Sequence, residues 1–397
     1  MIDGEKTDVI RVLYDDRAFR MKHGGVARYF CELFRCFSDK VKVRLSFNET
    51  PCYYLQQRPW SMPPPRWDYD AVIKRLFFGY RVPGVWTVFM YLTTHFPRLF
   101  RSTDNENLRR FIQLAKAGEY DLVHLTEAHD YGICWRAIPA DKPVVVTIHD
   151  LIPELILKRL DVRTQRRAML ERATRIISVS EFTKRKLVEE YGVAGEKVSV
   201  IHHGFSLNDD QREIAEFKAV DHLLYVGKRN SYKQFAFFVK AIAPILRERI
   251  GLQLVCTGDA FSKNEKSLIE SLGIRHNVHS RFVSDSELRW LYAHAKAFVY
   301  PSLMEGFGLP ILEAFKSGCP VVLTNASCFP EVAGDAALYF CPDDAEGLKK
   351  QVMQLLDDEE LSARLVEAGH RRLSLYSWNK CSAETESVYR AAIAENA

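Results

Sequence analysis

The 397-residue sequence contains no C-x-x-C pair. Its nine cysteines, at 31, 36, 52, 134, 256, 319, 328, 341 and 381, are odd in number and scattered, which supports neither a disulfide framework nor a structural zinc site. Charge of one sign is lacking too: 55 Lys and Arg face 51 Asp and Glu, a formal net of +4, with no arginine-rich arm. Nucleic acid is therefore not an expected partner, because such binding rests on neutralising phosphates. The opening MIDGEKTDVIRVLYDD places acids where a secretory leader needs a basic flank and an apolar core, so the reducing cytoplasm is the expected setting. Short-period repeats and low-complexity tracts are missing, Pro63-Pro64-Pro65 being too brief to count. What is there is ordinary globular composition, 47% hydrophobic and 27% charged. At about 150 residues per domain the chain has room for two or three.

One stretch departs from the average. Residues 51–110 carry nine Lys and Arg against four acids, and thirteen aromatics. The longest uncharged run there, between Arg81 and Arg98, is shorter than the roughly 20 residues that span a bilayer, and it is polar in part. Two readings stand. The stretch is either an insertion packed by its own aromatics, or an interfacial or acceptor-binding surface with rings at headgroup level and cations facing anionic lipid. The second reading would hold the protein peripherally at the inner face of the membrane.

Elsewhere short β-branched runs alternate with longer helical patterns, which predicts an α/β protein with parallel sheets. VIRVLYD (9–15), DLVHL (121–125), VVVTIHD (144–150), RIISVS (175–180) and KVSVIHHG read as the strands of one doubly wound half. DHLLYVG (221–227), LQLVCTG (252–258), KAFVYPS, PVVLT and ALYFC read as the strands of a second. The charged segment 207–220 between them shows no clear buried face and suits a linker. Two such halves imply a cleft between them, and open α/β sheets bind ligands at the carboxyl ends of their strands.

The most informative segment is YPSLMEGFGLPILEAFKSGCPVV (300–322). A strand ends at Tyr300-Pro301, and a loop carrying Glu305-Gly306-Phe307-Gly308 leads into a helix with Pro310 in its first turn, where a missing N–H costs little. Gly306 and Gly308 let backbone amides approach a ligand, and the helix N-terminus favours an anion. Glu313, eight residues after Glu305, adds a second carboxylate from the helix. Ile311 stands where a dinucleotide fingerprint needs Gly, so this is not that motif. On its own, a strand–Gly-x-Gly–helix junction is equally a tight turn.

The run E-G-F-G-L-P-x-L-E-A resembles the E-x7-E motif of retaining glycosyltransferases with two Rossmann-like domains facing a central cleft, the GT-B fold, in the large GT4 family. GGVARYF, VTIHDLIPE, IISVSEFTKRKL, VIHHG, LLYVGKRNSYKQF, ELRWLYAHAKAFVYPSLMEGFGLP and YSWNKCSAETESVY agree with it in order. The resemblance covers nearly the whole chain outside about 50–110.

The resemblance implies an N-terminal acceptor-side domain over 1–206, a donor domain over 207–377, and a last helix, 378–397, crossing back to the first. It gives Glu313 the ribose hydroxyls of a nucleotide donor and places Glu305 beside the transferred sugar. Amides of Gly306, Phe307, Gly308 and Leu309 would contact the sugar and diphosphate. Arg229 and Lys233, in VGKRNSYK, match the basic pair at the diphosphate, where cations would stabilise the leaving charge. Gly24-Gly25 takes the place of backbone approach on the other domain, with Lys22-His23 adjacent, and His149 matches the histidine that touches the donor sugar. His202-His203-Gly204 marks the crossover between domains. Glu331, in FPEVAGDAALYF, matches a position that reads as structural or nucleotide-proximal, and backbone near Phe282-Val283 is the family's place for the base.

Metal dependence is not expected. Asp68-Tyr69-Asp70 has a D-x-D form but sits in the aromatic stretch, away from any strand end, and His149-Asp150 lacks the further ligands of an HD hydrolase. The combination of motifs is similar to bacterial GT4 mannosyltransferases of surface polysaccharide synthesis. GDP-mannose is therefore the leading donor, with a glycan or lipid-linked oligosaccharide as acceptor. UDP- and dTDP-sugars, a non-catalytic nucleotide-sugar-binding scaffold subunit, and a nucleotide-sugar epimerase of the same fold remain the alternatives.

Overall fold

The computed structural model describes residues 9–20, 22, 24–57, 59–63, 103–126, 134–206, 210–229 and 231–396. Most of the aromatic stretch, Asp68-Tyr69-Asp70 and His23 therefore lie outside the described residues.

Two six-stranded parallel sheets are formed among them, in the orders β2-β1-β3-β4-β5-β6 and β12-β11-β10-β7-β8-β9. The first comprises β1 (Ile10–Tyr14), β2 (Val41–Leu45), β3 (Leu122–Leu125), β4 (Val144–Ile148), β5 (Arg175–Ser178) and β6 (Val198–Val200). The second comprises β7 (His222–Tyr225), β8 (Gln253–Thr257), β9 (Val278–Arg281), β10 (Ala295–Tyr300), β11 (Val321–Thr324) and β12 (Leu338–Phe340). Central strands such as β4 are buried at every position, as helices on both faces of a parallel sheet require. Helix 25–36 shows the alternative pattern: it buries Ala27, Tyr29, Phe30, Leu33 and Phe34 and keeps Arg28, Glu32 and Arg35 on the opposite face, at helical spacing.

Strand order reverses between β1 and β3 in one sheet and between β7 and β10 in the other. A reversal leaves a crevice at the carboxyl ends of the two strands, because their connections leave in opposite directions. The loops after β7 and β10 carry Arg229, Lys233 and Glu305, so the second crevice is where the sequence places its charges.

The structure adds what periodicity did not show. VKVRL, alternating and charged, is the edge strand β2, pairing along β1 from Ile10 with Val41 to Tyr14 with Leu45. Within the segment read as a linker, Ile214 and Phe217 are both 3% exposed and join the second domain's core, so it is an anchored crossover. Two apolar residues three positions apart among charges are too sparse for a pattern, yet a 3-10 turn at Ala215–Phe217 brings both inward. The helix Trp378–Ala394 packs on helix Gly25–Cys36, burying Trp378, Cys381, Val388, Tyr389 and Ala392 in the first domain's core.

A polar chain lies inside that core. Tyr14 and Tyr389 hydroxyls are 2.5 Å apart, the Tyr389 hydroxyl is 2.6 Å from His124 Nδ1, and His124 Nε2 is 2.8 Å from Thr147 Oγ1. Each group satisfies its neighbour, which is the condition for burying polar atoms without large loss.

Candidate active site

The loop after β10 is fixed by its backbone. Gly308 takes φ 90°, a left-handed conformation that glycine adopts freely, and starts helix Leu309–Lys316 with Pro310 at its head. Ser327 brackets Glu305: the Glu305 N–H donates to Ser327 Oγ at 2.9 Å, and Ser327 Oγ donates to the Glu305 carbonyl at 2.7 Å. The Leu303 N–H donates to the Tyr232 carbonyl at 2.9 Å, tying this loop to the one after β7.

Those two loops bring the charges together. Lys233 Nζ donates to Glu305 Oε1 at 2.5 Å and to the Tyr300 hydroxyl at 3.1 Å, with the Lys233 and Glu305 side chains 14% and 12% exposed. Arg229 is held differently. Its Nε donates to Glu265 at 2.7 Å, its guanidinium also reaches the carbonyls of Asp259 and Ala260, and the Phe261 ring lies 4.9 Å away. Tyr225 lies beneath both, its phenol pushed far up by burial. The structure thus joins Lys233 directly to Glu305, while Arg229 fixes the neighbouring loop 259–265.

Glu313 sits further along the cleft. Its carboxyl accepts from the Tyr292 hydroxyl at 3.4 Å; burial raises its pKa and nearby Arg28 opposes the rise. A cavity of about 570 Å³ opens here, lined by Arg28, Glu32, Arg35 and Ser206 from one side and by Asp285, Arg289, Tyr292 and Glu313 from the other. That volume falls within the usual range for small-ligand pockets. Arg28 donates to the Ser206 carbonyl at 2.7 Å, which anchors it at the crossover. The motif GGVARYF contains this arginine three residues after Gly25. Its spacing to Glu32 and Arg35 is the signal that finds it.

From the first domain, Gly25 begins helix Gly25–Cys36 with open space where a side chain would be, and Gly24 precedes it in extended conformation. His149, just after β4, meets the loop after β10 through its backbone: a Cβ at Gly306 would fall 1.7 Å from the His149 carbonyl oxygen. The imidazole Nε2 is sealed from solvent without a protein partner, beside the rings of Tyr29 at 4.9 Å and His203 at 5.5 Å. Burial, with Arg166 adding to it, holds His149 down to about 3, so the ring is neutral. Phe307 stacks on His203 at 4.8 Å, joining the loop to the crossover.

Glu331 has a role the sequence left open. Its Oε1 accepts from the Glu181 N–H at 2.8 Å and lies 2.6 Å from His202 Nε2, and its Oε2 accepts from the Phe182 N–H at 3.3 Å. It therefore caps an N-terminal-domain helix from the other domain. No sequence pattern shows this, because the partners lie about 130 to 150 residues away. Among the described residues no cluster of three or more His, Cys, Asp or Glu could hold a metal ion, and no helix is long and apolar enough to cross a membrane.

Two doubly wound parallel domains, with carboxylates and cations at the switch point of the second and a cavity between them, define the GT-B fold. Residues 23–209 match the family described as Glycosyltransferase Family 4, and residues 208–372 match Glycosyl transferases group 1. The chain is 31% identical over 300 residues to the MMP alpha-(1->4)-mannosyltransferase of Mycolicibacterium hassiacum, covering 70% of this chain and 72% of that one. It is 29% identical over 235 residues to the O-antigen chain mannosyltransferase B of Escherichia coli, covering 56% of this chain and 61% of the relative's own length. Its fold matches that of Anabaena Alr3699/HepE, solved in complex with UDP-glucose, with a TM-score of 0.69 at 18% identity over 96% of this chain and all of that one. The chain belongs to the GT4 family of glycosyltransferases.

Proposed function

We propose that the protein transfers mannose from GDP-mannose, with retained configuration and without a metal ion, to a hydroxyl of a glycan or lipid-linked oligosaccharide. The observation that carries the reading is the Lys233–Glu305 pair at the switch point, bounded by the Glu313 cavity and by His149 from the opposite domain. The mannosyltransferase relatives support the choice of sugar.

In this reading the bond from the sugar's anomeric carbon to the diphosphate oxygen breaks while the acceptor oxygen bonds to that carbon on the same face. The acceptor's proton passes to the leaving diphosphate oxygen. Lys233 offsets the negative charge that develops on the diphosphate, Arg229 supports it from the neighbouring loop, and the amides of Gly306 to Leu309 are the backbone donors in this reading. Glu305 orients the sugar and Glu313 holds the ribose. Neutral His149 has a hydrogen-bonding ring and no charge to add, so positioning outweighs proton transfer here. Arg28, Arg35 and Arg289 line the cavity together with Glu32, Asp285 and Glu313, so it offers a nucleotide both cations and carboxylates.

The test supplies GDP-mannose and a lipid-linked glycan in EDTA and follows GDP release and the anomeric signal of the product. Release that requires acceptor, with an α-linked product, is the expected result. Equal turnover with UDP-glucose would overturn the donor assignment, a β-linked product the stereochemistry, and rescue by Mn²⁺ the metal independence. Release of nothing, with tight nucleotide binding, would favour the scaffold reading.

A further inference from the structure

Between β11 and β12 the chain makes contacts in two directions within five residues. Ser327, in the left-handed region at φ 61°, brackets both backbone groups of Glu305. Four residues on, the Glu331 carboxylate crosses to the other domain, where it accepts from the Glu181 and Phe182 amides and meets His202. The segment between is a short helix, Phe329–Ala333, itself pinned by Arg372, which donates to the carbonyls of Glu331 at 2.7 Å and Val332 at 2.9 Å.

The chemistry of the contact is favourable. The first amides of helix Glu181–Tyr191 have no partner within the helix, and their N–H groups and the helix dipole both favour an anion. Burial opposes ionisation of Glu331, yet the hydrogen bond from His202 and those from the two amides outweigh it and hold the carboxyl below its usual range. One residue before that helix, Ser180 Oγ donates to the Gly306 carbonyl at 2.8 Å. The N-terminus of this one helix therefore touches the second domain at both ends of the Glu305 bracket.

We propose that Glu331 is a positioning residue for glycosyl transfer: by docking on the Glu181–Tyr191 helix and His202, it holds the second domain closed on the first, with the Glu305 loop seated against His149. The proposal rests on the reading of Glu305 as a group beside the transferred sugar. It does not touch the nucleotide cavity, whose lining includes neither Glu331 nor Ser327. Loss of Glu331 therefore acts on the assembled site and leaves donor binding in place.

The test compares wild type, Glu331→Ala and Glu331→Gln by steady-state kinetics, GDP calorimetry and amide hydrogen exchange. In Glu331→Ala, kcat falls at least about 30-fold while GDP affinity stays within about threefold. A 1 Å misplacement of reacting groups is enough for a loss on this scale. Glu331→Gln, whose amide oxygen still accepts from the helix amides, recovers most of the turnover. Exchange at 181–182 and at 305–309 rises about tenfold in the alanine variant, whereas β4 and β10 are unchanged. Unchanged exchange at 305–309, or unchanged kcat, would overturn the proposal. If Glu331→Ala does not fold, His202→Ala removes one side-chain partner and keeps the amide cap. Exchange at 305–309 should then rise about threefold, and no rise would overturn it. Exchange needs no substrate, so it decides this contact even if the wild type turns over none of the offered nucleotide sugars.

Discussion

The carbonyl oxygen of His149 occupies the space that a side chain at Gly306 would need, with a Cβ there falling only 1.7 Å away. The two domains thus touch, backbone to backbone, at the residue next to Glu305. Gly306→Ala is expected to leave each domain folded while forcing the loop off His149. Turnover should fall by about 100-fold, as for misplaced reacting groups, with little change in melting temperature. Kinetics and thermal unfolding of the variant check this, and turnover within threefold of wild type would show that the close contact is not needed.

Lys233→Ala removes the charge facing Glu305 and leaves a largely buried carboxylate without its partner. Breaking one side of a buried, hydrogen-bonded pair costs about 2–5 kcal/mol, and partial exposure of both side chains puts this case near the lower figure. A drop of a few degrees in melting temperature is expected, together with a loss of kcat that exceeds the change in KM. Equal stability and kinetics would mean that Lys233 is a surface charge.

Buried histidines set the response to acid. Burial holds His124 and His149 down to about 3 and His203 well below its usual range, so all three are neutral when folded. Unfolded histidine takes a proton below about pH 6.5, so stability is full above that value and is lost as the pH falls toward 3. Each contributes up to about 1.4 kcal/mol per pH unit across that window. Burial raises Asp15 to about 6, and this acts in the opposite direction between about pH 6 and 4, offsetting roughly one of the three. The melting temperature at pH 5 should accordingly lie at least about 5 °C below that at pH 7.5. A flat profile would show that these rings are not neutral by burial.

Tyr389→Phe breaks the internal polar chain without creating a cavity. It leaves Tyr14 and His124 Nδ1 facing an apolar edge, and an unsatisfied buried group costs about 1–3 kcal/mol. Stability should fall by that amount in chemical denaturation, with GDP binding unchanged because the network lies in the first domain's core. A loss below 0.5 kcal/mol, on the order of a surface change, would mean that another partner replaces the phenol.

The sheets were legible because fully buried parallel strands leave continuous apolar runs, as in VVVTI. The edge strand VKVRL was not, since one exposed side lets charge interrupt the pattern. At the site, Glu305 and Lys233 could be singled out by motif, but their contact depends on two loops from neighbouring strands and only the fold supplies it. Arg28 was not singled out, and Glu331 was singled out as structural or nucleotide-proximal without its partners, for complementary reasons. The arginine lies on the polar face of an otherwise ordinary amphipathic helix, and the glutamate's partners are on the other domain.

The most direct test of the account is thermal unfolding with GDP, UDP, dTDP and ADP and their common sugars, in EDTA, with Glu313→Ala alongside. A ligand at a hundredfold its dissociation constant adds about 2.7 kcal/mol, enough for a rise of roughly a few degrees. The account predicts a rise with GDP and GDP-mannose that disappears in Glu313→Ala. A rise with another nucleotide, or one that survives the substitution, would contradict the assignment of donor or of site.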